Sequence, residues 1–231
     1  MLMLCFETSA KAASVAVFEA DQLLGECYQN TGLTHSQTLM VMAQDLLRQC
    51  GKTPADVQAV AVAEGPGSFT GVRIGMAAAK GFAWGAEIPC YGVSTLEAMA
   101  VGLGIFQGYV CPVMDARRNQ VYNALFYVNH GVMTRVREDR AIALADLQAE
   151  LQQCAEPVYL VGDGAVLTKK TIALDYLILP PEHKRHQRAT GVGLVALRQQ
   201  AAGLRPDGET LVPNYLRLSQ AERERMEREQ K

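Results

Sequence analysis

The sequence predicts an α/β fold built as two similar halves, each around a mixed sheet, and three observations lead there. Short apolar runs of strand length alternate with longer stretches of helical spacing. The order three strands, helix, strand, helix runs from Met1 to Leu103 and then again from Tyr109 onward. No short-period repeat accompanies it, so a duplicated fold is expected rather than a solenoid.

The elements follow in order. Met1 to Phe6, Ala13 to Phe18 and Leu23 to Tyr28, with turn-prone residues between them, read as three antiparallel strands. Thr34 is placed to cap a helix, with Gln37 three residues on. Leu39, Met42, Leu46, Leu47 and Cys50 then recur at helical spacing until Gly51 stops it. Val57 to Ala63 is a buried-strand run, Gly71 to Trp84 a small-residue helix, Ile88 to Val93 a strand, and Ser94 caps a helix to about Leu103. After Gly104 to Gly108 the pattern restarts. Tyr109 to Met114 and Gln120 to Val128 read as strands, with a third near Val132 to Arg137. Leu144 to Gln153 is helical, Val158 to Val161 a strand and Gly191 to Ala202 a helix. The expected division is a first half over 1–106, a second half over 107–217 and a charged tail over 218–231. In the tail Glu224 and Arg228, and Glu227 and Lys231, stand in favourable helical register. From Ala221 to Lys231, Met226 is the one apolar anchor, so a solvated or frayed helix is expected.

Composition narrows the function classes. With 231 residues, 49% hydrophobic and 20% charged, the chain can bury a sizeable core and lies outside the range of disorder. A formal net charge of −2 gives no broad electrostatic grip on nucleic acid, so an RNA role is expected to run through a partner. The six cysteines form no C-x-x-C pair and signal neither zinc nor a redox motif. No apolar run reaches membrane-spanning length, and Met1 leads straight into a strand, so a cytoplasmic protein is expected.

The most informative stretch is Ala63-Glu64-Gly65-Pro66-Gly67-Ser68-Phe69-Thr70-Gly71-Val72-Arg73-Ile74-Gly75, between a strand and a helix. Gly65 and Gly67 admit backbone angles closed to other residues, Pro66 fixes the turn, and Ser68 or Thr70 can cap the helix. Amides at such a helix start attract an anion. A plain tight turn, with Gly71 and Gly75 there for close packing, fits the spacing better than an anion site does. The segment has neither the lysine of a P-loop nor the dinucleotide fingerprint.

Two linked halves of this kind match the actin, hexokinase and Hsp70 architecture, whose halves are RNase H-like and can hold a nucleotide between them. G-P-G-S-F-T-G-V-R-I-G, followed by Lys80-Gly81-Phe82-Ala83, resembles the signature of the TsaB (YeaZ) family and of its catalytic relative TsaD. Glu7-Thr8-Ser9, Thr34-His35-Ser36-Gln37, Gly92-Val93-Ser94-Thr95-Leu96-Glu97, Asp115-Ala116-Arg117-Arg118 and Pro213-Asn214-Tyr215-Leu216-Arg217 extend the match.

The resemblance implies a subunit of the machinery that forms threonylcarbamoyladenosine in tRNA. It implies a non-catalytic scaffold that pairs with a TsaD-like subunit and helps dock a TsaE-like ATPase. A homodimer is expected when the chain is alone, and tRNA is met only through the complex. Thr95 and Met99 stand where TsaD-like chains carry a metal-binding histidine pair, so no metal, cofactor or catalytic residue is expected. The phosphate motif of nucleotide-binding relatives wants Asp-Gly-Thr or Asp-Gly-Ser, whereas Glu7-Thr8-Ser9 has a longer acid and no glycine. The runner-up is an autonomous ATP-dependent transferase or kinase. A glycoprotease finds no nucleophile and base.

The helices from Thr34 and Gly71 are apolar on more than one face. By resemblance they supply the partner surface, through His35, Leu39, Met42, Leu46, Phe69, Arg73, Met76 and Lys80. Asp115, Arg117 and Arg118 read as a solvated turn, and His183 to Arg188 as a basic loop.

Overall fold

Strand β1 (Leu2–Glu7) is buried along its whole length, which is why it reads as a continuous apolar run rather than an alternating one. The protein is described by a computed structural model over residues 1–206 and 208–217. β1 pairs antiparallel with β2 (Ala13–Glu19), which pairs antiparallel with β3 (Gln22–Gln29). On its other side β1 runs parallel to β4 (Ala59–Gly65), and β4 parallel to β5 (Cys90–Ser94). The first sheet is therefore ordered β3-β2-β1-β4-β5.

The second sheet repeats that plan. β6 (Gly108–Asp115), β7 (Gln120–Asn129) and β8 (Val132–Ala143) form an antiparallel meander, and β9 (Val158–Val161) and β10 (Leu177–Ile178) join parallel on the far side of β6. Its order is β10-β9-β6-β7-β8. Counted from the start of each half, both sheets are 3-2-1-4-5, the duplication expected from the order of elements.

Helices cover the sheets in layers. α1 (His35–Gln49) and α2 (Phe69–Ala86) lie on one face of the first sheet, packing Leu39, Met42, Leu46, Leu47, Ala79 and Ala83 against Leu2, Leu4, Phe6, Val60 and Val62. α3 (Thr95–Leu103) and α7 (Ala189–Ala201) cover the other face, where Ala98, Ala189, Val192 and Val195 meet Met3, Cys5 and Phe18. α3 also turns Leu96, Met99 and Ala100 onto Val110, Met114 and Phe126 of the second sheet, so it is the layer the halves share. α4 (Leu144–Leu151) and α5 (Ala165–Thr171) close the outer face of the second sheet.

Several expectations need correction. α7 and the segment after it return to the first half, so 107–217 does not form one half: Gly191 lies so close to α3 that a Cβ there would stand 2.2 Å from the Ala98 carbonyl oxygen. β8 extends to Ala143, six residues past its expected end at Arg137, because bulges between Asn123 and Phe126 keep it paired with β7. α5, β10 and the short α6 (Glu182–Arg185) were not expected. Thr34 makes no side-chain cap bond; its carbonyl accepts from the Gln37 amide instead. The charged tail lies outside the described residues.

All six cysteines are free, and burial pushes the thiols of Cys90 and Cys111 up to about 11 and about 12, leaving them inert protonated groups. Among the described residues no helix is long and apolar enough to cross a membrane.

Candidate functional site

Two surfaces meet at the start of α2: the exposed ridge of α2 itself and a cleft between the halves. The glycine-rich turn builds both. Gly65 has φ +114°, and Ser68 caps α2 with its hydroxyl accepting from the Gly71 amide at 3.3 Å. Three further glycines bring this turn onto the end of β1. A Cβ on Gly67 would stand 2.4 Å from the Ser9 carbonyl oxygen, one on Gly71 2.1 Å from the Thr8 carbonyl oxygen, and one on Gly75 2.3 Å from Thr8 Oγ1. The Ser68 amide donates to the Ser9 carbonyl at 2.6 Å, and Thr8 Oγ1 donates to the Gly71 carbonyl at 2.8 Å. The glycines thus admit the chain's own Thr8-Ser9 backbone, and one turn amide that could meet an anion is already engaged.

The cleft beyond this turn has a volume of about 410 Å³. Ser9, Lys11 and Ser68 line it from the first half, and Asp115, Arg117 and Asp163 from the second. Glu7 lies beneath, fully buried, with Oε1 accepting from the Ser9 amide at 2.6 Å and Oε2 without a partner. Burial pushes its carboxyl up to about 7, and the nearby Asp163 charge adds to this. Asp163 is raised as well, by burial, against hydrogen bonds from the Asp115 backbone and Gln187 that pull it down. A buried carboxyl pushed up to about 7, as in Glu7, is a weaker anchor for a hydrated cation than an ordinary, fully ionised acid. Thr95 and Met99 are buried within α3 and packed between the halves.

The eight residues expected at a partner surface divide. Leu39, Met42 and Leu46 point into the first core and Met76 is buried too, and that corrects their expected role as direct contacts. The physical reason is the run of consecutive apolar residues on each helix. Leu39 and Met42 turn inward while Met40 (45% exposed) and Val41 (57%) turn outward; Met76 faces in and Ala77 out. His35 ties the start of α1 to the loop after β1, its Nε2 lying 2.8 Å from the Ala10 carbonyl oxygen. Phe69, Arg73 and Lys80 remain on the ridge.

What the sequence reading missed is the rest of the outer strip of α2 beyond Arg73: Ala77, Gly81, Trp84 and Gly85, at helical spacing on one face. Trp84 is 79% exposed, and a Cβ on Gly81 or Gly85 would meet nothing within 4 Å. Two helix-interior glycines facing open space cost stability without any internal packing reason, and they flank the one tryptophan of the chain. Grooves run along both sides of this strip, one past Trp84 and Pro206, the other past Phe82 and Ala55.

The chain is similar to known proteins along nearly its whole length. Residues 29–224 match the family model described as TsaD, tRNA N6-adenosine threonylcarbamoyltransferase. The tRNA threonylcarbamoyladenosine biosynthesis protein TsaB of Bacillus subtilis is 34% identical over 226 residues, covering 96% of each chain. The TsaB protein of Escherichia coli is 36% identical over 167 residues, 71% of this chain and 72% of its own. Among solved structures, YeaZ from Pseudomonas aeruginosa superposes with a TM-score of 0.79 at 25% identity, over 93% of this chain and 99% of its own.

Proposed function

The chain belongs to the TsaB (YeaZ) family of tRNA threonylcarbamoyladenosine biosynthesis proteins, and on that premise we propose that it serves the pathway as a non-catalytic scaffold. It pairs with a TsaD-like catalytic subunit, helps dock a TsaE-like ATPase, forms a homodimer when alone, and meets tRNA in the cytoplasm only through the complex. The observation that carries the reading is the Ala77–Gly81–Trp84–Gly85 strip, an apolar small-residue face that lets another backbone approach closely. The Met40 and Val41 side chains add to it from α1, on the same side of the first sheet.

The site chemistry supports the same reading. The β4-to-α2 turn is closed on the chain's own Thr8-Ser9 backbone, and Glu7 is a buried acid whose carboxyl burial pushes up to about 7.

Light scattering of the chain mixed with the TsaD-like protein of the same organism tests the proposal. Trp84→Asp and Gly81→Leu are expected to abolish heterodimer and homodimer while leaving the melting temperature within a few degrees. Unchanged association would remove the strip from the interface. Steady magnesium-dependent ATP turnover by the isolated chain would favour the transferase or kinase instead.

A further inference from the structure

The segment from Gly208 to Arg217 has no regular secondary structure, yet it is fixed at successive points along the first half. Lys80 Nζ donates to the Leu211 carbonyl at 2.8 Å and to the Glu209 carbonyl at 3.3 Å. The Asn214 amide donates to the Glu64 carbonyl at 2.8 Å, and Tyr215 stacks on Phe69. Two glycines make room for it. A Cβ on Gly65 would stand 2.7 Å from the Asn214 carbonyl oxygen, and one on Gly92 2.3 Å from Leu211 Cδ1.

Asn214, Tyr215, Leu216 and Arg217 then line the cleft between the halves. Arg217 Nη1 crosses it and donates to the Ala116 carbonyl on the second half. That acceptor belongs to the β6–β7 turn, where Arg117, Arg118 and Asn119 all hold positive φ.

We propose that residues 208–217 are an internal ligand of the cleft: a strap seated on the first half that reaches the second and holds both in one relative orientation. Two-lobed folds commonly close on a bound molecule that contacts both lobes. Here the contacts that reach both lobes come from the chain itself. This goes beyond the scaffold reading and is independent of any partner.

A second tie does not involve the strap. Arg135 of β8 pairs with Glu97 of α3 at 2.7 Å and with Asp139 at 2.6 Å, and Ser94 Oγ donates to Asp139. Releasing the strap is therefore expected to widen the cleft as a hinge rather than to separate the halves.

The test uses the full chain with non-canonical spin-label residues at Asp21 and Val132, exposed positions on the first and second halves. The parent is expected to give one narrow distance distribution. Arg217→Ala and the Tyr215→Ala/Arg217→Ala pair are expected to broaden it, with amide exchange in the 115–120 turn rising about tenfold, as loss of a charge-assisted bond allows. Arg217→Lys is expected to restore much of the parent behaviour. Arg217→Ala removes a single bond at a half-buried side chain and keeps the fold, so it decides the matter even if the pair unfolds. Distance and exchange profiles identical to the parent's would overturn the proposal.

Discussion

Tyr215 lies stacked on Phe69, their ring centroids 4.7 Å apart and their planes 25° from parallel, which joins the far end of the described chain to the first turn of α2. Arg73 completes the cluster, with Cζ 4.0 Å over the Phe69 ring and Nε donating to the Tyr215 hydroxyl at 2.9 Å. Tyr215→Ala should lower unfolding free energy by about 1–2 kcal/mol, and Tyr215→Phe, which keeps the stack, by about half that. Urea titrations with unchanged slopes would check both. A phenylalanine variant as weak as the alanine one would make the hydroxyl, not the ring, the important contact.

Gly71 and Gly81 sit ten positions apart on α2 and should respond oppositely to alanine. At Gly71 the new methyl would meet the Thr8 carbonyl oxygen at 2.1 Å, a backbone clash that should cost about 2–4 kcal/mol. At Gly81 the methyl meets nothing, and Gly81→Ala should stabilise the monomer by about 0.5–1 kcal/mol through helix propensity. Thermal melts of the two single variants make the comparison.

Glu7 should make the fold less stable as pH rises from acid toward neutral. Unfolded, its carboxyl ionises around its ordinary value of 4.5; folded, burial raises it to about 7. Between those values the native state holds the extra proton, so stability falls as pH rises through the window, by on the order of 3 kcal/mol, and levels off above it. Glu7→Gln keeps an acceptor for the Ser9 amide and has no proton to lose. The difference in unfolding free energy between variant and parent should therefore grow in the variant's favour from pH 4.5 to 7. A difference that stays flat would place Glu7 in contact with water.

Met42→Glu and Met76→Glu should both prevent stable folding, since each side chain is at most 4% exposed and a carboxylate there would have no counter-ion. The loss should reach several kcal/mol and be visible in circular dichroism of the monomer. Met40→Glu, on an outward position of α1, should leave the melt within a degree or two.

The sheets and the long helices were legible because their periodicity is strong. β1 to β5 and α1 to α3 fall within a few residues of their expected bounds, and the Ser94 cap is formed, its hydroxyl accepting from the Glu97 amide. What escaped was of two kinds. α5, β10 and α6 are 7, 2 and 4 residues long, too short for a period to declare itself. The orientation of α1 and α2 was ambiguous because Leu39 to Met42 and Met76 to Ala79 are unbroken apolar runs. Periodicity then marks a helix without marking which side meets the sheet. In the glycine-rich segment the residues were found but not their purpose: only the register of β1 against α2 shows that Gly71 and Gly75 accommodate Thr8. The strap carries the quoted Pro213-Asn214-Tyr215-Leu216-Arg217 block, but its partners, Glu64, Phe69 and Ala116, lie about a hundred residues or more away.

The return of α7 to the first sheet sets an order of events during synthesis. Met3, Cys5 and Phe18 are covered by Val192 and Val195, which leave the ribosome about 170 residues after β2. At about 5–20 residues per second that is an interval of roughly ten to thirty seconds. During it one face of the first sheet stays wet and adhesive, while the second sheet, contiguous from Gly108 to Ile178, has all its strands in hand before α7 exists. The nascent protein thus completes its later half first, and the earliest residues to emerge are among the last to be sheltered, a natural point of capture for chaperones.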